Sequence, residues 1–232
     1  MRFRVAEQFR RVLRMYPRSR GRRAATAADY GRICVLGSAV AYGYNLAELG
    51  GFRISLEDRL VEGGHTYSLV GGQTNGPAEL VDQDFDGFLG NASFFPALIP
   101  GMFAVSGPWS VVVLAVTASN VFNGSVATLA ADLTAVFAAI YTAAPQVRVL
   151  ALETPDILPV NDYGANPAHV TAARAALSQA VADQAGLGRS VELVTIPDYG
   201  AAYIGADGFF PSRAGYDYLA GRIYGVLTHT QT

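Results

Sequence analysis

Arg32-Ile33-Cys34-Val35-Leu36-Gly37-Ser38-Ala39-Val40-Ala41-Tyr42-Gly43 is a short apolar run that breaks at Gly-Ser, passes straight into small residues and closes on a second glycine. A run of this length rich in Val, Ile and Leu reads as a strand covered on both faces, and the glycines mark a tight turn into whatever follows. Further strand candidates lie at 66–70, 110–117, 147–153 and 190–195, with the first at 32–37. Between and after them, helical signals occupy 47–63, 125–143, 168–186 and 212–228.

This alternation predicts an α/β chain with helices on both faces of a parallel sheet. The crossovers are long enough for right-handed units. We therefore expect a three-layer α/β/α, flavodoxin-like arrangement with a five-stranded parallel sheet in the order 2-1-3-4-5. Its functional edge lies at the carboxyl ends of the strands. A chain of 232 residues, 51% hydrophobic, suits one core. The expected division is an arm over 1–31 and a single domain over 32–232.

Charge is unevenly placed. All 17 basic residues are arginines, and nine of them fall in the first 23 residues beside one acid, Glu7, giving this arm +8. The remaining eight arginines face eighteen acids, so the body carries −10. Val5, Phe9, Val12, Leu13 and Tyr16 recur at helical spacing, with Arg4, Arg10, Arg11 and Arg14 on the other faces, which predicts a basic amphipathic helix over 2–16 stopped by Pro17. An Arg-rich, acid-poor amphipathic start is the pattern of mitochondrial targeting peptides and does not match a secretory signal. The expected location is a mitochondrion or another organelle, with the cytoplasm as the alternative. The single cysteine, Cys34, excludes an internal disulfide and reads as a buried small residue. No uninterrupted apolar stretch is long enough to predict a spanning helix.

Five blocks carry a resemblance. Val35 to Gly43 resembles the Gly-Asp-Ser-Ile/Leu opening of the SGNH (GDSL) hydrolases. Gly50-Gly51-Phe52-Arg53, with Leu56 and Leu60, is similar to the Gly-(Gly/Ser)-Tyr-Arg helix start of their acetylxylan-esterase-like branch. Leu69 to Pro77 resembles that branch's Phe-Val-Gly-Ser-Gln-x-x-Gly-Pro turn, and Asp84 to Gly90 its Asp-His-Glu-Gly-His-Ser-Gly segment. Asp207-Gly208-Phe209-Phe210-Pro211-Ser212 with Gly215-Tyr216 resembles the acid-base segment. The blocks keep order and spacing across residues 32–228.

The resemblance implies a role for each position. A serine ending the first strand attacks an acyl carbon, a histidine takes its proton, an aspartate three residues earlier orients the histidine, and Ser, Gly and Asn of three blocks stabilise the oxyanion. Here the serine position is Ala39 and the histidine position Phe210, while Asp207 and the oxyanion glycine, Gly90, are kept. The Gly-x-Asn-Asp block stands as Thr117-Ala118-Ser119-Asn120, so Ser119 replaces the amide donor. A shifted register makes Ser38 an alternative nucleophile. His65, His169 and His229 have no partner at catalytic spacing and read as surface or turn residues. No phosphate loop or metal-ligand spacing is present, and no cofactor is expected.

Between Asp86 and Asp132, 45 consecutive residues carry no charge. Within them Phe94, Phe95, Leu98, Ile99 and Phe103 belong to a segment, 94–105, with no polar face at any period, the signature of an interface. The expectation is a catalytically inactive structural or accessory subunit whose partners are protein subunits met through this segment and the arm. Anionic lipid is a further arm contact, and nucleic acid is disfavoured by the acidic body. The alternatives are an esterase using Ser38 and a sugar- or acyl-binding module.

Overall fold

The structure, a computed structural model, describes residues 27–47 and 49–229. The expected helix over 2–16, with Arg4, Phe9, Arg11, Val12 and Tyr16, lies outside the described residues. Seven strands form the sheet: β1 (Asp29–Gly37), β2 (Thr66–Val70), β3 (Gln73–Thr74), β4 (Asp84–Gly87), β5 (Val111–Ala115), β6 (Arg148–Leu152) and β7 (Val191–Val194). Seven α-helices are described: α1 (Ala39–Tyr42), α2 (Phe52–Glu62), α3 (Phe95–Ser106), α4 (Ala118–Phe122), α5 (Leu129–Ala143), α6 (Pro167–Gly186) and α7 (Arg213–His229).

The five long strands are parallel and run β2-β1-β5-β6-β7, the expected order 2-1-3-4-5. The expected count of five is corrected by two short strands. β2 pairs with β1 from Asp29 to Cys34, and β4 takes over the same edge at Leu36 and Gly37, carrying β3 antiparallel outside it. β1 also begins at Asp29, three residues inside the expected arm. The helix expected from 47 starts at Phe52, because Gly51 at φ 56 breaks the backbone before it.

Along β1 the side chains alternate between two cores. Cys34 and Leu36 join Val112 and Leu114 beneath α3, α5 and α6, where Phe137, Ile140 and Leu177 close the layer. Ile33 and Val35 face the other way, with Val111 and Val113, onto Phe52, Leu56 and Leu60 of α2 and Leu219 and Ile223 of α7. Helix α3 packs on α5, so Phe95 and Ile99 are fully buried. These two are corrected from interface to core. Phe94 stays 53% exposed, and Leu98 and Phe103 are half-buried.

Three buried tyrosines tie loops to the body. Tyr141 donates to the Ser190 carbonyl (3.0 Å), Tyr199 to Tyr203 (3.0 Å) and Tyr216 to Tyr44 (2.9 Å). Burial pushes the Tyr141 phenol up to about 12, against the pull of Arg189, and raises Tyr199 and Tyr216 as well. In the unfolded chain these phenols ionise near pH 10. The folded chain holds their protons longer, so stability falls as pH climbs from about 10 through the folded values. In an alkaline titration followed by phenolate absorbance and circular dichroism, these three tyrosines, together with Tyr67, whose phenol burial also raises, should ionise only as helicity is lost. Ionisation of all twelve tyrosines near pH 10 with unchanged dichroism would contradict this.

Candidate functional site

The carboxyl ends of β1, β4, β5 and β6 meet where the resemblance places an active site. β1 ends in Gly37, where an added Cβ would stand 2.8 Å from the Ala115 carbonyl oxygen, so only glycine lets β1 and β5 end side by side. Ala39 follows, opening α1, almost buried in the same apolar cluster as Phe209 and Phe210. Gly43 closes this single turn at φ 83, donating its N–H to the Ala39 carbonyl, and a Cβ there would meet the Gly51 nitrogen at 2.2 Å. The two glycines of the opening block thus set the turn that would present a nucleophile.

Ser38, the alternative nucleophile, is fully buried, and its hydroxyl donates to the Ala115 carbonyl (3.2 Å).

Asp207 caps its own turn. Oδ1 accepts the N–H groups of Phe209 (3.0 Å) and Phe210 (3.1 Å). Oδ2 is buried with no hydrogen bond of ordinary geometry. The Tyr163 phenol is raised first by its own burial and then by this carboxylate. At the position where the resemblance expects an imidazole, the Phe210 ring, 4% exposed, packs among aromatics: Tyr44 at 4.7 Å between centroids, Phe209 at 4.8 Å and Tyr163 at 5.6 Å. Phe122 of α4 extends the cluster to Phe209 and Tyr163. A phenyl ring can neither accept nor relay a proton.

The positions that the resemblance assigns to the oxyanion are Gly90 and Ser119. The Gly90 N–H donates to Phe88 (2.9 Å), an acceptor within its own turn. Ser119 lies half-buried in the first turn of α4, next to Asn120. Asn120, which the sequence did not single out for a role, is fully buried. Its Oδ1 accepts the Ala92 N–H (2.9 Å) and its amide donates to Ser125 (3.0 Å), tying the turn after β4 to the one after α4.

The histidines do not refill the site. His65, read as a surface or turn residue, lies in the turn between α2 and β2 and is buried there, at the opposite end of the sheet, where Nδ1 accepts the Ala28 N–H (3.1 Å) and Nε2 meets the Tyr224 hydroxyl (3.1 Å). His169 lies against Gly124, and His229 ends α7. Among the described residues no cluster of His, Cys, Asp and Glu could hold a metal ion, and no helix is long and apolar enough to cross a membrane.

No protein-family model matches the sequence, and no curated protein does. Solved structures do match. A family 3 carbohydrate esterase from Clostridium thermocellum superposes with a TM-score of 0.73 at 24% identity, covering 84% of this chain and 93% of that one. A family 3 carbohydrate esterase from Talaromyces cellulolyticus gives 0.70 at 18% identity, covering 84% and 95%. A lipase/acylhydrolase from Enterococcus faecalis gives 0.64 at 15%, covering 85% and 95%. The chain thus has the SGNH-type esterase and acylhydrolase fold.

Proposed function

We propose that the chain is a non-catalytic protein on an esterase frame, serving as a structural or accessory subunit of a larger assembly. One observation carries this reading: a methyl group at 39 and a caged phenyl ring at 210 stand where the resemblance assigns nucleophile and base. Losing one triad member costs several orders of magnitude in rate, and losing both leaves little to recover.

What the chain offers instead is uncharged surface. On the outer face of α3, Ala97, Gly101, Ala104 and Val105 are exposed, and neighbouring α5 adds Ala130, Ala131, Thr134, Ala135 and Ala138. Asp132 is the one charge within these two helices. A face of this composition loses little on desolvation and suits a protein neighbour. The arm adds a second attachment, to protein or anionic lipid in preference to nucleic acid, and its Arg-rich pattern supports an organellar address.

The test is direct. The purified chain should hydrolyse an activated acetate ester no faster than buffer, with Ser38→Ala changing nothing. In extracts of its source it should sediment within a particle far larger than 24.5 kDa, in an organelle fraction. Turnover abolished by Ser38→Ala would instead establish the esterase alternative. The exposed rims of Tyr44, Phe122 and Tyr163 favour a second reading, a sugar- or acyl-binding module. A ligand of either class that raises the melting temperature would support it.

A further inference from the structure

Among the described residues Asp207 has no salt-bridge partner, although it is only 8% exposed. Its Oδ1 is taken by the N–H groups of Phe209 and Phe210, while Oδ2 is buried, makes no hydrogen bond of ordinary geometry and has the Tyr163 phenol as its neighbour. The arginines of the adjoining helices are turned to other acids, Arg174 of α6 to Asp156 (3.0 Å) and Arg213 of α7 to Asp217 (3.7 Å). A carboxylate buried in this way is costly until a positive charge comes near it. Aromatic rings cover it. Phe209 and Phe210 form a buried floor, and at its rim Tyr44, Phe122 and Tyr163 keep 41%, 41% and 39% of their surface open. Tyr163 lies 5.1 Å from Phe122, 5.5 Å from Phe209 and 5.6 Å from Phe210, and Tyr44 packs on Phe210 from the other side.

The rim is fastened before any ligand arrives, which lowers the cost of binding. The Asp162 N–H donates to the Asp207 carbonyl (2.9 Å) and the Leu158 N–H to the Gly208 carbonyl (2.8 Å), and the Asn161 amide donates to the carbonyls of Leu158 (3.0 Å) and Ala165 (2.9 Å). The loop bearing Tyr163 is therefore tied to the turn bearing Asp207. Gly208 permits the approach: at φ 72, a Cβ there would stand 2.8 Å from the Val160 carbonyl oxygen. Tyr44 is held through its carbonyl by the Tyr216 hydroxyl (2.9 Å). Exposed Asp162 adds a second carboxylate beside Tyr163, whose phenol is raised by burial first and then by Asp207 and Asp162 among its neighbours.

We infer that Tyr44, Phe122 and Tyr163, backed by the Asp207 carboxylate, bind a small quaternary ammonium compound of the choline type. Ring faces attract such a cation through their quadrupoles, and its methyl groups cover the open aromatic surface. A primary amine is disfavoured, because its N–H groups would need acceptors and Oδ2 is itself buried. A neutral sugar or acyl ligand would use the rings alone, so the charge behind them is what distinguishes a cation. The inference goes beyond the subunit reading and stands whether or not the chain belongs to an assembly.

Calorimetric titration of the full chain with choline, and with dimethylbutanol, in which carbon replaces the nitrogen, tests the inference. Choline should bind about 10-fold more tightly than the uncharged alcohol of the same shape. Asp207→Asn keeps an Oδ1 able to accept both N–H groups, and it should weaken choline about 10-fold while leaving the alcohol unchanged. Tyr163→Ala should weaken choline about 5-fold. Exposed Asp162→Asn supplies a variant that leaves the buried turn intact, and it should weaken choline about 2-fold with no effect on the alcohol. Equal affinities for choline and the alcohol in the unaltered chain would overturn the inference. So would choline binding that is unchanged in Tyr163→Ala and Asp162→Asn, or the absence of any choline binding.

Discussion

In a chain carrying both Ala39→Ser and Phe210→His, hydrolysis of an activated acetate ester should rise on the order of 10²- to 10³-fold over the unaltered chain, while either change alone stays at background. The frame still holds what a triad needs. Position 39 opens α1 at the end of β1, and Ala39, Phe209 and Phe210 share one apolar cluster. Asp207 Oδ2 makes no hydrogen bond of ordinary geometry, so an imidazole N–H would have to displace only the neighbouring Tyr163 phenol to reach it. The gain is capped below a natural hydrolase because the Gly90 N–H is spent on Phe88 and Ser119 is a poor oxyanion donor. Initial rates on the folded double variant decide the matter. If they equal wild type, positions 39 and 210 do not converge on one substrate.

Arg53→Met should destabilise the protein by about 3–5 kcal/mol, the loss expected when one member of a buried charged network is removed. Arg53 is among the largest fully buried side chains. Its guanidinium donates to Gln83 (2.9 Å) and to the Asn75 carbonyl (3.1 Å), also bonds the Asn75 side chain, and stacks 4.4 Å from the Phe85 ring centre. Burial pushes its pKa down to about 10, partly offset by Glu57, Asp82 and Asp84. Methionine keeps most of the bulk but leaves those carbonyls unpaired and the acids uncompensated. Urea unfolding should show a lower midpoint at unchanged slope. A cost under about 1 kcal/mol would mean that water or a neighbouring side chain replaces the guanidinium.

The long strands were legible because parallel strands buried on both faces leave continuous apolar runs. β3 and β4 were not, since Gln73-Thr74 and Asp84-Phe85-Asp86-Gly87 are short, polar pieces whose pairing depends on β2 leaving the edge of β1. Segment 94–105 was legible as apolar, but a helix without a polar side carries no period that says which side is buried. Packing on α5 made that choice, sending Phe95 and Ile99 inward. At the candidate site, Ala39, Asp207 and Phe210 could be placed from blocks that carry glycines, and Ser119 from its place after the apolar run of β5. Tyr163 could not, because it arrives from the loop after β6 with no motif around it. Nothing in the sequence pointed to the task of Tyr216, whose hydroxyl holds the Tyr44 carbonyl beside Phe210.

At the end of α3, Trp109 donates through Nε1 to the Ser106 hydroxyl (2.9 Å), and Ser106 donates to Asp86 (2.8 Å), which also accepts from Cys34 (3.5 Å). Phe103 meets the Trp109 ring edge-on. Trp109 is the chain's one indole and Cys34 its one thiol, and burial raises that thiol well above its usual range. The molecule therefore carries its own fluorophore beneath the uncharged helix, so a neighbour seating there can be followed by emission without a dye. A cysteine engineered anywhere on the surface could be labelled selectively, with the native thiol left in place.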